Sequence, residues 1–285
     1  MSKAVFERVK RLERDGVMLE YGVAGPADGP VLLLLHAIRN TRLLFAGIVP
    51  RLAEGYRVIA PDLRGHGNSS RQGPYTFERI AKDIRLLLDA EGVEQAAVAA
   101  ASFSAVPAQL FAARYPACVS RLVLLDGGFY RLGELPGFDR AAVVDRLART
   151  RFASLTEAEE QFARRYGAHA VPAGLAESEL EQKEDGRYGY KLPAEAFDAY
   201  FREYASFDRA GLFGALACPV LLLLADEEML PDEAQRQFLR HAASEYVRMV
   251  PQARCEKIDD SLHLLMVTHP RETAERMIQF LDCAR

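Results

Sequence analysis

Ser102 stands at the junction of two stretches with different patterns. Ala96 to Ala101 is a short apolar run, and Val106 to Tyr115 reads as a helix. A serine on a tight turn between a strand and a helix presents its hydroxyl at the strand's end, where it can attack. A hydroxyl is a weak nucleophile until a neighbouring base takes its proton. Six histidines are present. Of these, His263 lies in the last loop before the final helix-like stretch, Glu272 to Leu281. A serine brought against a histidine base could perform acyl transfer.

The flanking sequence shows which elements must bring them together. Val17 to Val23, Val31 to His36, Arg57 to Ala60, Ala96 to Ala101 and Leu122 to Leu125 read as strands. Phe77 to Ala90 has helical spacing, with Ile80, Ile84, Leu87 and Leu88 on one face. Short continuous apolar runs indicate strands buried on both faces, hence a mostly parallel sheet. Strands separated by helices form βαβ units. From about Phe129 to Phe207 the clear strand runs stop, and helix-like stretches follow at Ala141 to Thr150, Glu157 to Tyr166 and Pro193 to Tyr204. The strand–helix rhythm resumes with Val220 to Ala225, Pro231 to Ala242, Val247 to Val250 and Glu272 to Leu281. The expected architecture is α/β: a core of residues 1–128 and 208–285 with a helical cap of residues 129–207. Such a cap would lie over the crevice at the carboxyl ends of the strands.

Composition narrows the function classes. Of 285 residues, 49% are apolar and 27% charged, and the net charge is −4. With no clustered Lys/Arg block, nucleic acid is not an expected partner. Met1 to Lys10 lacks the apolar core of a signal peptide, and no apolar run is long enough to span a bilayer. Cys118, Cys218, Cys255 and Cys283 are scattered, with neither metal spacing nor a disulfide frame. The expectation is a cytoplasmic protein acting on a small molecule, with no metal and no cofactor. Dimerisation through the cap is left open.

Several segments, in order, resemble the α/β-hydrolase superfamily from about Glu20 to Leu281. Leu32-Leu33-Leu34-Leu35-His36 followed by Ala37 is similar to the family's strand ending in His-Gly. Pro61-Asp62-Leu63-Arg64-Gly65-His66-Gly67-Asn68-Ser69 matches its Asp-x-Arg-Gly-x-Gly-x-Ser loop without gaps. Ala112-Ala113-Arg114-Tyr115-Pro116 resembles the helix after the nucleophile turn. Counting back from Pro116 favours Ser102 over Ser104 as the nucleophile. Pro219 to Glu228 resembles the strand that delivers the acid. Leu262-His263-Leu264 followed by Pro270 resembles the catalytic-histidine loop, with His269 as the local rival.

The resemblance implies a fold and a set of roles. The fold would be a mostly parallel central sheet flanked by helices, with an inserted helical cap. Ser102 would be the nucleophile and His263 the base. Glu228 would be the acid that orients the imidazole. Asp226 and Glu227 are a register shift away, and Asp126 ends an earlier strand from which some members supply the acid. The oxyanion hole would use backbone N–H groups of Phe103 and Ile38, with Ala37 as the alternative. Arg39, Phe129 and Tyr130 flank the expected crevice as substrate contacts. His36 and His66 would shape turns. The chain departs from the family's Gly-x-Ser-x-Gly pattern at Ala100 and Ser104, and from His-Gly at Ala37.

The leading expectation is a serine hydrolase that opens an ester or lactone through an acyl-enzyme on Ser102. The rivals are carbon–carbon bond hydrolysis of a diketone and a non-hydrolytic cyclase or ligand-binding protein with an altered turn. Epoxide hydrolysis and dehalogenation are disfavoured, because similar enzymes of those classes carry an aspartate where this chain has Ser102.

Overall fold

The computed structural model describes residues 5–167, 169 and 171–283. Eight strands form one sheet in the order β1-β2-β4-β3-β5-β6-β9-β10. They are β1 (Arg8–Arg14), β2 (Val17–Ala24), β3 (Val31–Leu35), β4 (Arg57–Pro61), β5 (Ala96–Ala101), β6 (Val119–Leu125), β9 (Val220–Leu224) and β10 (Ala253–Lys257). A small hairpin, β7 (Leu180–Gln182) with β8 (Tyr188–Tyr190), lies apart. Pairing is antiparallel from β1 to β2 and from β2 to β4, and parallel from β4 onward. The expected mostly parallel sheet is therefore present.

Strand order reverses beside β3: the chain runs outward from β3 to β4, then returns to the other side at β5. Loops leaving β3 and β5 diverge there, which opens a crevice at the carboxyl ends of the strands. Ser102 follows β5 and His36 follows β3, so both face this switch point.

The helices are α1 (Val49–Leu52), α2 (Phe77–Ala90), α3 (Ala105–Arg114), α4 (Arg140–Arg149), α5 (Leu155–Arg165), α6 (Leu175–Glu179), α7 (Ala194–Ser206), α8 (Arg209–Gly214), α9 (Glu233–Met249), α10 (Leu265–Thr268) and α11 (Pro270–Asp282). Helix α2 buries Ile80, Ile84, Leu87 and Leu88, the face its spacing indicates. Thr76 caps its first turn by accepting the Arg79 N–H at 3.1 Å. Helices α4 to α7 lie between β6 and β9, where the helical insertion is expected. Tyr200 of α7 ties that insertion to the core by donating to the Arg64 carbonyl at 2.9 Å.

Three elements differ from expectation. Val247 to Val250 is not a strand: α9 runs on to Met249, anchored by buried Tyr246, and the strand comes later as β10. β10 is an edge strand with largely exposed side chains, so it lacks the apolar run that marks a buried strand. β1 escaped the pattern for the same reason. Its Arg-Val-Lys-Arg-Leu-Glu-Arg sequence is solvated, and those charges discourage pairing with a foreign strand. The β7–β8 hairpin interrupts an otherwise helical insertion; its strands are three residues each, too short to show a period.

Candidate active site

Ser102 leaves β5 at φ 55°, a left-handed conformation rare for a residue with a Cβ. Such strain persists only where the surroundings enforce it. β5 is built of small residues, and Ala100 and Ala101 are fully buried. Close approach is met by glycines on the neighbouring strand's loop. A Cβ on Gly127 would stand 2.3 Å from the Ser102 carbonyl oxygen and 2.5 Å from its Cα. At Gly128, with φ 76°, a Cβ would stand 2.6 Å from Gln109 Nε2 and 2.7 Å from Ala105 Cβ. Ser104, at a position where the family pattern has glycine, is fully buried. Its hydroxyl is shared between the carbonyls of Leu35, at 2.9 Å, and Ala101, at 3.0 Å. It thereby ties the end of β3 to the end of β5.

The Ser102 hydroxyl lies 2.9 Å from Nε2 of His263. On the other side of the ring, Nδ1 lies 2.6 Å from Oδ2 of Asp126. A carboxylate can only accept, so this contact places the ring proton on Nδ1. That leaves the Nε2 lone pair facing the serine hydroxyl. Asp126 follows β6 at φ 48°, and its other oxygen accepts the Ala225 N–H at 3.1 Å. Serine, histidine and acid thus form one continuous hydrogen-bonded line.

The expectation for the acid needs correction, because Glu228 is not at His263. Asp226 caps the short turn Glu227–Met229, which carries Glu228 outward to an exposed ion pair with Arg240. Glu227 also faces Arg240, at 3.5 Å, and Lys257, at 3.6 Å. Asp226 accepts from Lys257 at 2.9 Å and from the Asp260 N–H at 3.0 Å, so it braces the loop that carries His263. His269 bonds Thr268 at 3.1 Å and stands outside the line.

The loop after β3 is held by His36, which is fully buried. Its Nε2 accepts the Leu63 N–H at 2.9 Å, so its proton is on Nδ1 and is donated to the Ala37 carbonyl at 2.9 Å. Burial, then the neighbouring His66, hold its pKa well below the ordinary value, which keeps that tautomer. Burial likewise lowers His66 to about 4. Both histidines shape turns, as expected. Ala37 O also accepts the Asn40 N–H at 3.1 Å, and Arg39 takes φ 71°. Ile38 and Phe103 both line the cavity beside Ser102, whereas Ala37 is buried behind it.

That cavity encloses about 640 Å³. Its walls include Arg39, Phe129 and Tyr130, the three expected contacts, together with Leu132, Leu135, Phe138 and Phe201 from the insertion. The chamber is mostly apolar, with charged residues Asp226, Glu227, Arg240 and Lys257 on one wall. Among the described residues, no group of three or more His, Cys, Asp or Glu could hold a metal. No helix among them is long and apolar enough to cross a membrane.

Sequence reasoning missed a latch between the insertion and the loop after β3. Asn40 Nδ2 donates to Oε1 of Glu179 at 2.6 Å, and Thr41 and Ser178 share a hydrogen bond of 2.6 Å. Glu179 is only 2% exposed, and burial pushes its carboxyl up to about 8 despite Asn40, Arg39 and Arg165. The sign follows directly. Below about pH 4.5 Glu179 is protonated in both folded and unfolded chains and costs nothing. Between there and about pH 8 the unfolded chain sheds a proton that the folded one keeps, so stability falls by about 1.4 kcal/mol per pH unit. Glu179→Gln keeps an acceptor for Asn40 and removes this loss. Thermal melts are expected to coincide near pH 4.5, with the variant melting progressively higher toward pH 8. Parallel melting curves across that range would refute the linkage.

Residues 30–270 match the model of a family described by its alpha/beta hydrolase fold. A proline iminopeptidase, PfmaB, of Pestalotiopsis fici is 38% identical over 121 residues. That stretch covers 41% of this chain and 43% of the relative, so the likeness spans less than half of the curated protein. Lipase LipV of Mycobacterium tuberculosis is 31% identical over 190 residues, 65% of this chain and 69% of the lipase. Among solved structures, an E-2-(acetamidomethylene)succinate hydrolase superposes with a TM-score of 0.79 at 24% identity, covering 97% of this chain and 99% of that one. At that identity the likeness is one of fold.

Proposed function

The chain belongs to the α/β-hydrolase fold family, and from that membership we propose that it is a serine hydrolase cleaving a small or medium-sized ester or lactone through an acyl-enzyme on Ser102. The observation that carries this reading is the unbroken line from Ser102 through His263 to Asp126, at 2.9 and 2.6 Å. In the proposed reaction Ser102 Oγ attacks the carbonyl carbon while its proton passes to Nε2 of His263. The Asp126 carboxylate stabilises the resulting imidazolium and holds the ring's orientation. Negative charge gathers on the former carbonyl oxygen, where the N–H groups of Phe103 and Ile38 receive it. His263 then returns the proton to the departing alkoxide, and the C–O bond breaks. Water, deprotonated by the same imidazole, attacks the acyl-serine, and collapse of that second intermediate frees the acid and restores the Ser102 hydroxyl.

The apolar walls from Leu132 to Phe138 and at Phe201 suit a medium-sized hydrocarbon portion of the substrate. The loss of glycine at Ala100 and Ser104 does not weigh against the reading, because Gly127 and Gly128 provide the close approach.

A fluorophosphonate serine probe tests the proposal. Intact mass should rise by a single adduct on the wild type and by none on Ser102→Ala. A well-folded wild type that takes up neither this probe nor a smaller one would overturn the acyl-enzyme reading in favour of a cyclase or ligand-binding role.

A further inference from the structure

Three cationic side chains line the cavity: Arg39, Arg240 and Lys257. Two are neutralised within the wall. Lys257 lies 2.9 Å from Asp226, and Arg240 pairs with Glu228 and, at 3.5 Å, with Glu227. Arg39 differs. Among the described residues it has no carboxylate within ion-pair distance and no hydrogen-bond acceptor. Its guanidinium carbon instead lies 5.4 Å from the ring centroid of Tyr190. An aromatic face can hold a guanidinium in place while leaving its in-plane N–H donors available for a carboxylate. Glu179 of the insertion accepts from Asn40 and lies beyond ion-pair distance of Arg39, whose charge acts on its carboxyl only across space. Arg39 is also one residue beyond Ile38 and lines the same cavity as Ser102 and His263.

We propose that Arg39 is the anchor of an anion subsite, and that the substrate carries a carboxylate a few atoms from the bond that is cleaved. The proposal deepens the hydrolase reading and rests on it. It gives the chamber an anion-binding side at the cationic Arg39 and apolar walls at Leu132, Leu135 and Phe138. It makes Arg39 a specificity-determining residue: a neutral substrate would leave a half-buried cation without a partner.

Two substrates of equal acyl length test it, 4-nitrophenyl hemiglutarate and 4-nitrophenyl pentanoate. The wild type is expected to favour the hemiglutarate in kcat/KM by about tenfold or more, mainly through KM, with the ratio shrinking as salt is raised. Arg39→Gln should bring the ratio near one, and Arg39→Lys should restore part of it. A wild type without the preference, or an Arg39→Gln variant that retains it, would overturn the subsite. Calorimetric titration with glutarate separates this from failure of the hydrolase reading. Ser102→Ala should bind glutarate and the double variant Ser102→Ala/Arg39→Gln should not, whether or not either ester is turned over. Equal binding, or none to Ser102→Ala, would also overturn the subsite. Absence of a fluorophosphonate adduct would count against the hydrolase reading alone.

Discussion

Asp126→Asn is expected to lower kcat on an activated ester by about 10³- to 10⁴-fold, while Glu228→Gln stays within about twofold of the wild type. The asymmetry follows from where each carboxyl group points. Asp126 accepts from Nδ1 of His263 at 2.6 Å. An asparagine there could present an N–H instead, which would favour the tautomer with its proton on Nε2. The imidazole would then have no lone pair facing Ser102, and the attacking hydroxyl would lose its base; a loss of that order is what the wrong tautomer costs in a serine triad. The side chain is nearly isosteric, so the fold should survive, and a melting curve close to the wild type would show that chemistry rather than stability was lost. Glu228 is exposed and pairs with Arg240, so removing its charge breaks a surface contact worth less than about 1 kcal/mol. Steady-state kinetics on both variants decide the matter. Loss of activity in Glu228→Gln with Asp126→Asn intact would show that the acid comes from the loop after β9.

The two positions could not be separated in the sequence, for a physical reason. Asp126 directly follows the buried run Leu122 to Leu125 and Glu228 lies shortly after the similar run Val220 to Leu224, and each lies between Ser102 and His263 in chain order. What distinguishes them is the direction of the turn. Asp126 takes φ 48° and folds back toward β9, donating its N–H to the Leu223 carbonyl at 2.9 Å, whereas the chain after β9 enters a tight turn capped by Asp226. Neither conformation has a periodic signature. The buried strands β3, β5 and β9 were legible for the opposite reason: their side chains are buried along almost the whole run, so apolarity is continuous. Ser102 and His263 were legible because ordered segments on either side of each one limit the register. Arg39 was legible only as a residue near the crevice; that it lacks an ionic partner depends on contacts made across the fold. Glu179, 139 residues from Asn40, carries no mark of that pairing in the surrounding helix pattern.

Gly127→Ala is expected to be the most damaging single methyl group that could be added near the site. Ala100 and Ser104 stand where the family pattern has glycine; Ala100 packs in a strand of alanines and Ser104 uses its hydroxyl as a clasp. The close approach lies one strand over, where the Gly127 backbone abuts that of Ser102. A Cβ at 2.3 Å from a carbonyl oxygen has no flexible side chain to push aside, so either the β6 loop or the nucleophile turn must move. Overpacking of this kind costs about 3 kcal/mol, a melting-temperature drop of roughly 5–10 °C. Because the displaced backbone is that of Ser102, and Asp126 is the adjacent residue, the movement also breaks the alignment from serine to acid. A misplacement of about 1 Å is worth about 10²-fold in rate, so kcat should fall by at least that factor in the protein that remains folded. Gly214→Ala is the matched control, since a Cβ there meets nothing within 4 Å and stability should move by less than about 1 kcal/mol. Should Gly127→Ala melt and turn over like the control, the strain at Ser102 would have to be relieved elsewhere than against the β6 loop.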